Sequence, residues 1–420
     1  MNSVELSLLE ARRLALACQG LNKKFPFGQG KKAIERAFER LSYVQIDTIS
    51  VVERAHHHTL WSRMPNYEGQ MLDELLAEKK IFEYWSHAAA YLPMRDYRFS
   101  LFRKDRLARG GSHWVRPDKK VMKAVKGRIE KEGPLRARDF KAIAKNTGGP
   151  WWEWKPAKEA LERLFHEGEL MVAARQGFEK VFDLTERVLP QEVDTSMPTF
   201  SEYARHLVDR AIDAHGFVTA EQIAYQRGAK TKDEVLKALK ELIEEGSHQQ
   251  VQIKGLDDKF YTKRELLESV SLRKWKPFLR ILSPFDNSVI VRKRLEDLFN
   301  YEYRIECYTP KAKRLWGYFC LPLLWGTDFI GRLDGKAVRK DGRFIVENLY
   351  IEQAKQARSS VQSIRSAKPA KLTGDLPRGL TLEVLAEEIQ SFANFNKCPQ
   401  VKLANISPKK LKKPLAKLFS

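Results

Sequence analysis

Tyr43-Val44-Gln45-Ile46-Asp47-Thr48-Ile49 alternates β-branched or apolar side chains with polar or aromatic ones, and such alternation predicts a short strand with one buried face. Side chains two apart leave a strand on the same side, about 6.5–7 Å apart. Val44, Ile46 and Thr48 are therefore expected toward a core, with Gln45 and Asp47 projecting together. An amide both donates and accepts hydrogen bonds, whereas an ionised carboxylate only accepts. Side by side they have the groups needed to hold a water and take its proton, or to stabilise a nearby cation. An ordinary polar strand face has the same spacing, so the surrounding chain decides between the two.

Working outward, residues 5–19 and 30–41 carry apolar positions at helical spacing, separated by a loop bearing Pro26 and Gly28. Beyond the motif, Glu53–Met64 and Met71–Lys79 read as helices. Phe82-Glu83-Tyr84-Trp85 and His87–Pro93 read as a hairpin ending at a proline. Helices, a strand and a hairpin in this order suit a modified winged-helix module closing near Gly110-Gly111.

An internal repeat follows. Ala160, Leu161, Leu164, Glu167, Gly168 and Phe182 recur as Ala238, Leu239, Leu242, Glu245, Gly246 and Phe260, each pair 78 residues apart. In each copy a short helix (Ala137–Lys145; Ala220–Arg227) precedes a longer one ending at glycine, a residue suited to a left-handed cap. Two extended runs around a turn then form the wing: Leu170–Gln176 with Val181–Thr185, and Gln250–Ile253 with Lys259–Thr262. From Lys274 the character changes to aromatic, strand-like runs (Tyr303–Tyr308, Leu315–Leu324, Phe329–Leu333, Phe344–Tyr350), then a helix at 381–394 and a basic tail Lys409–Lys417. The expected fold is α+β: three tandem winged-helix modules (1–115, 116–195, 196–272) followed by a small antiparallel β-domain (273–420).

Lys and Arg outnumber Asp and Glu by 75 to 54 over 420 residues, a net charge of +21, which suits a polyanion such as nucleic acid. No apolar run approaches the roughly 18 residues that spanning a membrane requires, and no secretory signal is seen. Cys18, Cys307, Cys320 and Cys398 lie far apart without metal spacing and read as reduced residues of a cytosolic protein. His56-His57-His58 tempts a metal assignment, but neighbours on a helix point about 100° apart, so no metal is expected. His87 is either a structural histidine of its hairpin or a tip inserted at DNA. Trp151, Trp152 and Trp154 are expected to pack the second module, with base stacking as the alternative. No phosphate-binding loop, dinucleotide fingerprint, zinc-protease motif or serine elbow is present.

Several stretches together resemble the bacterial winged-helix DNA glycosylases of the AlkZ/YcaQ type. They are Leu41–Asp47, Arg54-Ala55-His56 with Leu60–Arg63, Tyr84–Pro93, Ser283–Asn287, Tyr303–Pro310, Gly317–Pro322 and Gly331–Asp334. The resemblance runs through nearly the whole chain. It implies a concave basic surface on duplex DNA and a catalytic Gln-apolar-Asp motif, which Gln45-Ile46-Asp47 matches. That version of the motif is associated with N7-alkylpurines and nitrogen-mustard interstrand crosslinks. DNA contact is expected through His87, Tyr91, Arg54 and Arg63, with no cofactor; the asymmetric run of different modules on one DNA points to a monomer, expected in the cytoplasm at the nucleoid.

The substrate chemistry fits such a motif. Alkylation at N7 makes a purine cationic, so it leaves without an enzyme acid and C1′ becomes oxocarbenium-like. Asp47 would stabilise that cation and accept a proton from water held by Gln45. No lysine in the motif argues for strand cleavage, so an abasic site is the expected product. A non-catalytic winged-helix transcription regulator is the alternative from the residues alone.

Overall fold

The computed structural model describes residues 4–140, 154–352 and 375–419. Ser7 opens the first helix, α1 (Leu8–Cys18), with a capping box: its side chain takes the Glu10 N–H while the Glu10 carboxylate returns to the Ser7 N–H. Helix α2 (Lys31–Leu41) buries Ala33, Ile34, Ala37, Phe38 and Leu41, and leads into β2 (Val44–Gln45). Helices α3 (Ala55–Trp61) and α4 (Gly69–Ala77) come next. Strands β3 (Ile81–Trp85) and β4 (Ala89–Pro93) form the anticipated hairpin, and the sheet order is β2-β4-β3.

The expected strand Tyr43–Ile49 is thus only two residues long. Val44 and Ile46 are buried as anticipated, but Gln45 is buried too and Thr48 is exposed. Asp47 ends the pairing: its Oδ1 accepts the Ile49 N–H at 2.7 Å, a local turn that competes with the ladder.

The repeat is structural. Helices Trp154–Glu167 and Ala229–Glu244 bury matching residues, Ala160, Leu161 and Leu164 in one, Ala238, Leu239 and Leu242 in the other. Gly168 and Gly246 follow them at φ of +86° and +81°, the left-handed region that glycine enters without Cβ strain. Each helix precedes a hairpin: β6 (Leu170–Gln176) with β7 (Glu179–Leu184), and β8 (His248–Ile253) with β9 (Phe260–Lys263). Of the two short helices anticipated, Ala137–Phe140 is a single 3-10 turn whose continuation lies outside the described residues, and the other spans Ala220–Ile223. Trp151 and Trp152 also lie outside them, and Trp154 begins the helix that follows.

The amino terminus crosses the molecule. Strand β1 (Val4–Leu6) pairs in parallel with β8, and α1 buries Leu14, Leu16 and Cys18 in one cluster with Val208, Ile212 and Phe217. Residues 31–97 contribute instead to the cluster that contains Leu161, Phe182 and the carboxy-terminal sheet.

That sheet runs β10 (Leu279–Ile281), β11 (Cys320–Trp325), β12 (Asp328–Val338), β13 (Arg343–Ile351) and β14 (Gln400–Ser407), in that order. Its last pair, β13 with β14, is parallel, so the sheet is mixed rather than wholly antiparallel. Tyr303–Tyr308 is not a strand; Tyr303 is buried and its hydroxyl donates to the Cys320 carbonyl. The basic tail is anchored, because Leu411 and Leu415 are buried beside helix Leu382–Phe395.

Two of the motif stretches meet far from solvent. Arg63 Nη1 donates to Asp286 Oδ2 at 2.6 Å and Nη2 to Oδ1 at 3.1 Å, with both side chains fully buried. Burial alone would raise the Asp286 carboxyl, but Arg63 and Ser288 hold it below its ordinary value. Arg63 also donates to the Gln19 carbonyl, and Asn287 donates to the carbonyls of Leu41 and Tyr43. Arg63 was expected on DNA; complete burial against Asp286 excludes that contact. Asp286→Ala would strand a buried guanidinium, and a loss of ~3–5 kcal/mol in urea unfolding is expected. A loss below ~1 kcal/mol, the size of an exposed pair, would contradict this placement.

Candidate active site

Gln45 and Asp47 stand where β2 leaves its sheet. Gln45 is opposite Ala90 in the β2–β4 ladder, and the Ile46 N–H still reaches the Ala89 carbonyl at 2.8 Å. After Asp47 the chain is held from outside. The Ala337 N–H donates to the Val51 carbonyl at 2.9 Å, and Arg339 Nη1 to the Ser50 carbonyl at 3.2 Å. Arg54 reaches back to the Thr48 carbonyl, while its guanidinium lies 3.5 Å over the Phe178 ring at the β6–β7 turn. The second hairpin and the carboxy-terminal sheet therefore brace the turn that presents Asp47.

His87, at the turn of the β3–β4 hairpin, faces Gln45. Its Nε2 lies 3.1 Å from Gln45 Oε1; a carbonyl oxygen accepts, so the ring donates from Nε2. Gln45 keeps its amide N–H groups and a second lone pair for a water. Burial, and after it the charge of Arg227, lowers His87 to about 4, so the ring is neutral at physiological pH. Tyr43 and Tyr225 meet it edge-on, with centroids 5.2 and 5.6 Å away. The third module thus reaches the site through Tyr225 and Arg227, which follow the short helix Ala220–Ile223.

Burial raises the Asp47 carboxyl above its ordinary value of 3.8, against opposing hydrogen bonds from the Ile49 and Thr48 backbone and the charge of Arg54. A cleft of about 900 Å³ begins at the next residue, lined on one side by Thr48–Val51 and on the other by Arg314–Tyr318, Asp334–Ala337 and Tyr350.

Of the other expected DNA contacts, Arg54 is half-buried and stacked as described. Tyr91 is 1% exposed, paired with Val44 across the sheet, with its ring against Phe38 and His56. It is a core residue, a placement fixed by the inward side of β4. The three consecutive histidines diverge: His57 Nδ1 meets the Tyr67 hydroxyl at 2.6 Å, His58 Nε2 meets the Ile281 carbonyl at 2.9 Å, and His56 stacks on Phe178. Tyr225 and Arg227 were not singled out from the sequence, whereas Asn287 and Tyr308 stood inside matched stretches with no role of their own.

The candidate site thus gathers an amide, a carboxylate and a neutral histidine on a basic scaffold. A model of the family described as DNA glycosylase AlkZ-like matches residues 38–395, and the chain belongs to that family. The protein is therefore a DNA N-glycosylase. Among solved structures, Streptomyces sahachiroi DNA glycosylase AlkZ has a similar fold, with a TM-score of 0.61 and 14% identity over 96% of this chain and 100% of that one.

Two outcomes follow from the geometry. Base release should be flat through neutral pH and fall on acidification as Asp47 protonates, with its midpoint above 3.8. His87, lowered to about 4 by burial, gains its charge only within the same acid range; a rate that falls near pH 6.5, the ordinary histidine value, would contradict this. His87→Ala removes the donor that orients Gln45 and should lower the single-turnover rate about tenfold, the size of one hydrogen bond, without weakening DNA binding. Loss of affinity at an unchanged rate would place His87 on the DNA instead.

Proposed function

We propose that this glycosylase hydrolyses the N-glycosidic bond of N7-alkylated purines, including nitrogen-mustard interstrand crosslinks, and leaves an abasic site. The observation that carries the reading is the His87–Gln45 hydrogen bond beside a braced Asp47 at the mouth of an open cleft. An alkylated N7 gives the leaving purine a positive charge, so departure needs no enzyme acid. Positive charge then develops on the sugar. Ionised Asp47 stabilises it and takes the proton of the attacking water, which Gln45 holds by its amide. The turn places no lysine at the motif for Schiff-base chemistry, so the backbone of the DNA stays intact.

In this reading the three helix-and-hairpin units are winged helices gripping one duplex as a monomer, with the chain working at the nucleoid in the cytoplasm. The net charge of +21 and the convergence of all three units near Gln45 support it. So does the openness of the cleft, since a purine tethered across the duplex does not fit a closed base pocket.

The test uses a duplex with one N7-methylguanine and a second with one nitrogen-mustard crosslink, alkali revealing abasic sites. Asp47→Asn keeps an acceptor for the Ile49 N–H and so should fold, yet lose about a hundredfold or more in rate. Gln45→Ala should lose nearly as much. Wild-type release from Asp47→Asn would sink the assignment of Asp47, and intact substrate with wild-type protein would sink the substrate class.

A further inference from the structure

The loop Cys307–Phe319 belongs to no sheet, yet its backbone is fixed at many points. The buried Glu306 carboxylate accepts the N–H groups of Leu315, Trp316 and Gly317 at 2.9, 2.8 and 3.2 Å. Asp334 accepts those of Tyr318 and Phe319 at 3.1 and 3.0 Å. Gly317 has φ of +152°, and a Cβ there would fall 2.1 Å from Asp334 Oδ2, so the chain passes the carboxylate only as glycine. Arg314 joins the two arms, donating from Nε to the Thr309 carbonyl at 2.8 Å while its guanidinium covers the Tyr318 ring.

This restrained loop carries apolar side chains into water: Tyr308 is 81% and Leu315 76% exposed. Single exposed apolar residues are common, but these sit on the two arms of one rigid loop. Leu315 and Tyr318 line the cleft that starts at Thr48, and Arg304, Lys311 and Lys313 stand exposed around them. Leu315 and Tyr318 share that cleft with Thr48, the residue after Asp47, and burial first, then the charge of Asp47, pushes the neighbouring Cys307 thiol up in pKa. A fixed frame, outward leucine and tyrosine, flanking cations and a neighbouring catalytic carboxylate fit one partner, the damaged site of a duplex.

We propose that this loop enters DNA at the lesion: Leu315 wedges between the damaged base pair and its neighbour, and Tyr308 stacks on the base face so exposed. Lys311 and Lys313 meet the flanking phosphates. Apolar wedges part a base step in this way in proteins that kink DNA, and an aromatic ring repays the lost stacking. The opened step gives water and Asp47 a path to C1′ without full extrusion of the base. The inference rests on glycosylase action on DNA and on Asp47 at the reacting sugar, not on which adduct is removed.

Tyr308→Ala and Leu315→Ala should fold, since neither side chain is buried, and circular dichroism would check this. Each variant would be titrated with a duplex carrying one tetrahydrofuran abasic analogue beside a 2-aminopurine, and with the same duplex undamaged. Wild type should prefer the abasic duplex and raise 2-aminopurine emission as the step opens. Each alanine variant should lose about tenfold of that preference, together with the emission change, while affinity for undamaged DNA moves by less than about twofold. Tyr308→Phe and Leu315→Phe should retain both signals. The proposal is overturned if wild type shows no preference, if the alanine variants keep it, or if both duplexes weaken in parallel. Because the probe is a product analogue, a failure to release N7-methylguanine leaves this readout standing, and Asp47→Asn should still raise the emission.

Discussion

The bidentate pair of Arg63 and Asp286 is the constraint on which the rest of the molecule depends. It joins the segment after α3 to a loop 223 residues away, and the same guanidinium reaches the Gln19 carbonyl beyond α1. Three distant parts of the chain therefore meet on one side chain. Removing two charges from water costs several kcal/mol per ion, so the net gain from such a pair is small; its value lies in allowing one arrangement of the parts. Arginine suits the role because its planar fork satisfies both carboxylate oxygens and still has donors for the backbone. Asn287, the next residue, carries the order onward by donating to the carbonyls of Leu41 and Tyr43. Leu41 ends α2 and Tyr43 immediately precedes β2, so the ion pair sets the point from which the chain enters the strand that carries Gln45.

Charge at the site runs against the charge of the molecule. The chain as a whole has an excess of +21, which draws it to phosphate, yet an oxocarbenium-like sugar is destabilised by cations beside it. Burial resolves the conflict. It lowers His57, His58 and His87 to about 4 and His56 further, leaving four imidazoles near the motif uncharged at neutral pH. Arg54, whose charge acts on Asp47, is turned aside onto Phe178 and the Thr48 carbonyl. The cost of the same burial falls on Asp47, whose carboxyl is raised. The turn hydrogen bond from Ile49 offsets part of it.

Helices and hairpins were legible in the sequence because their periodicities are local. The repeat was legible too: the apolar residues 78 positions apart are buried in both copies, and both glycines take left-handed conformations. What local pattern cannot supply is the partner across the fold. Arg63 and Tyr91 belong to motif stretches of a DNA enzyme, and only the position of Asp286 and the inward side of β4 show that they serve the core. Alternation around Gln45 indicated a strand, but an aspartate able to bind the backbone two residues on ended it early. The same limit hid the migration of α1 to the third module and the parallel strand β14, since parallel pairing leaves no mark of its own in a sequence.

The architecture bears on how a damaged base is selected. A glycosylase that encloses a flipped base reads it with a ring of donors and aromatic walls, so selection lies in pocket shape. Here Asp47 stands on a turn, and the adjoining cleft is lined by Thr48–Val51, by the loop Arg314–Tyr318 and by the carboxy-terminal sheet. Such a site has little with which to measure the size of an adduct. Under the function proposed, selection passes to the lability of the bond itself: a cationic purine leaves when the sugar cation is stabilised, and a normal base, lacking an acid to protonate it, does not. Under that same proposal, a rigid loop that opens the stack would be sufficient recognition, with no need to enclose the base.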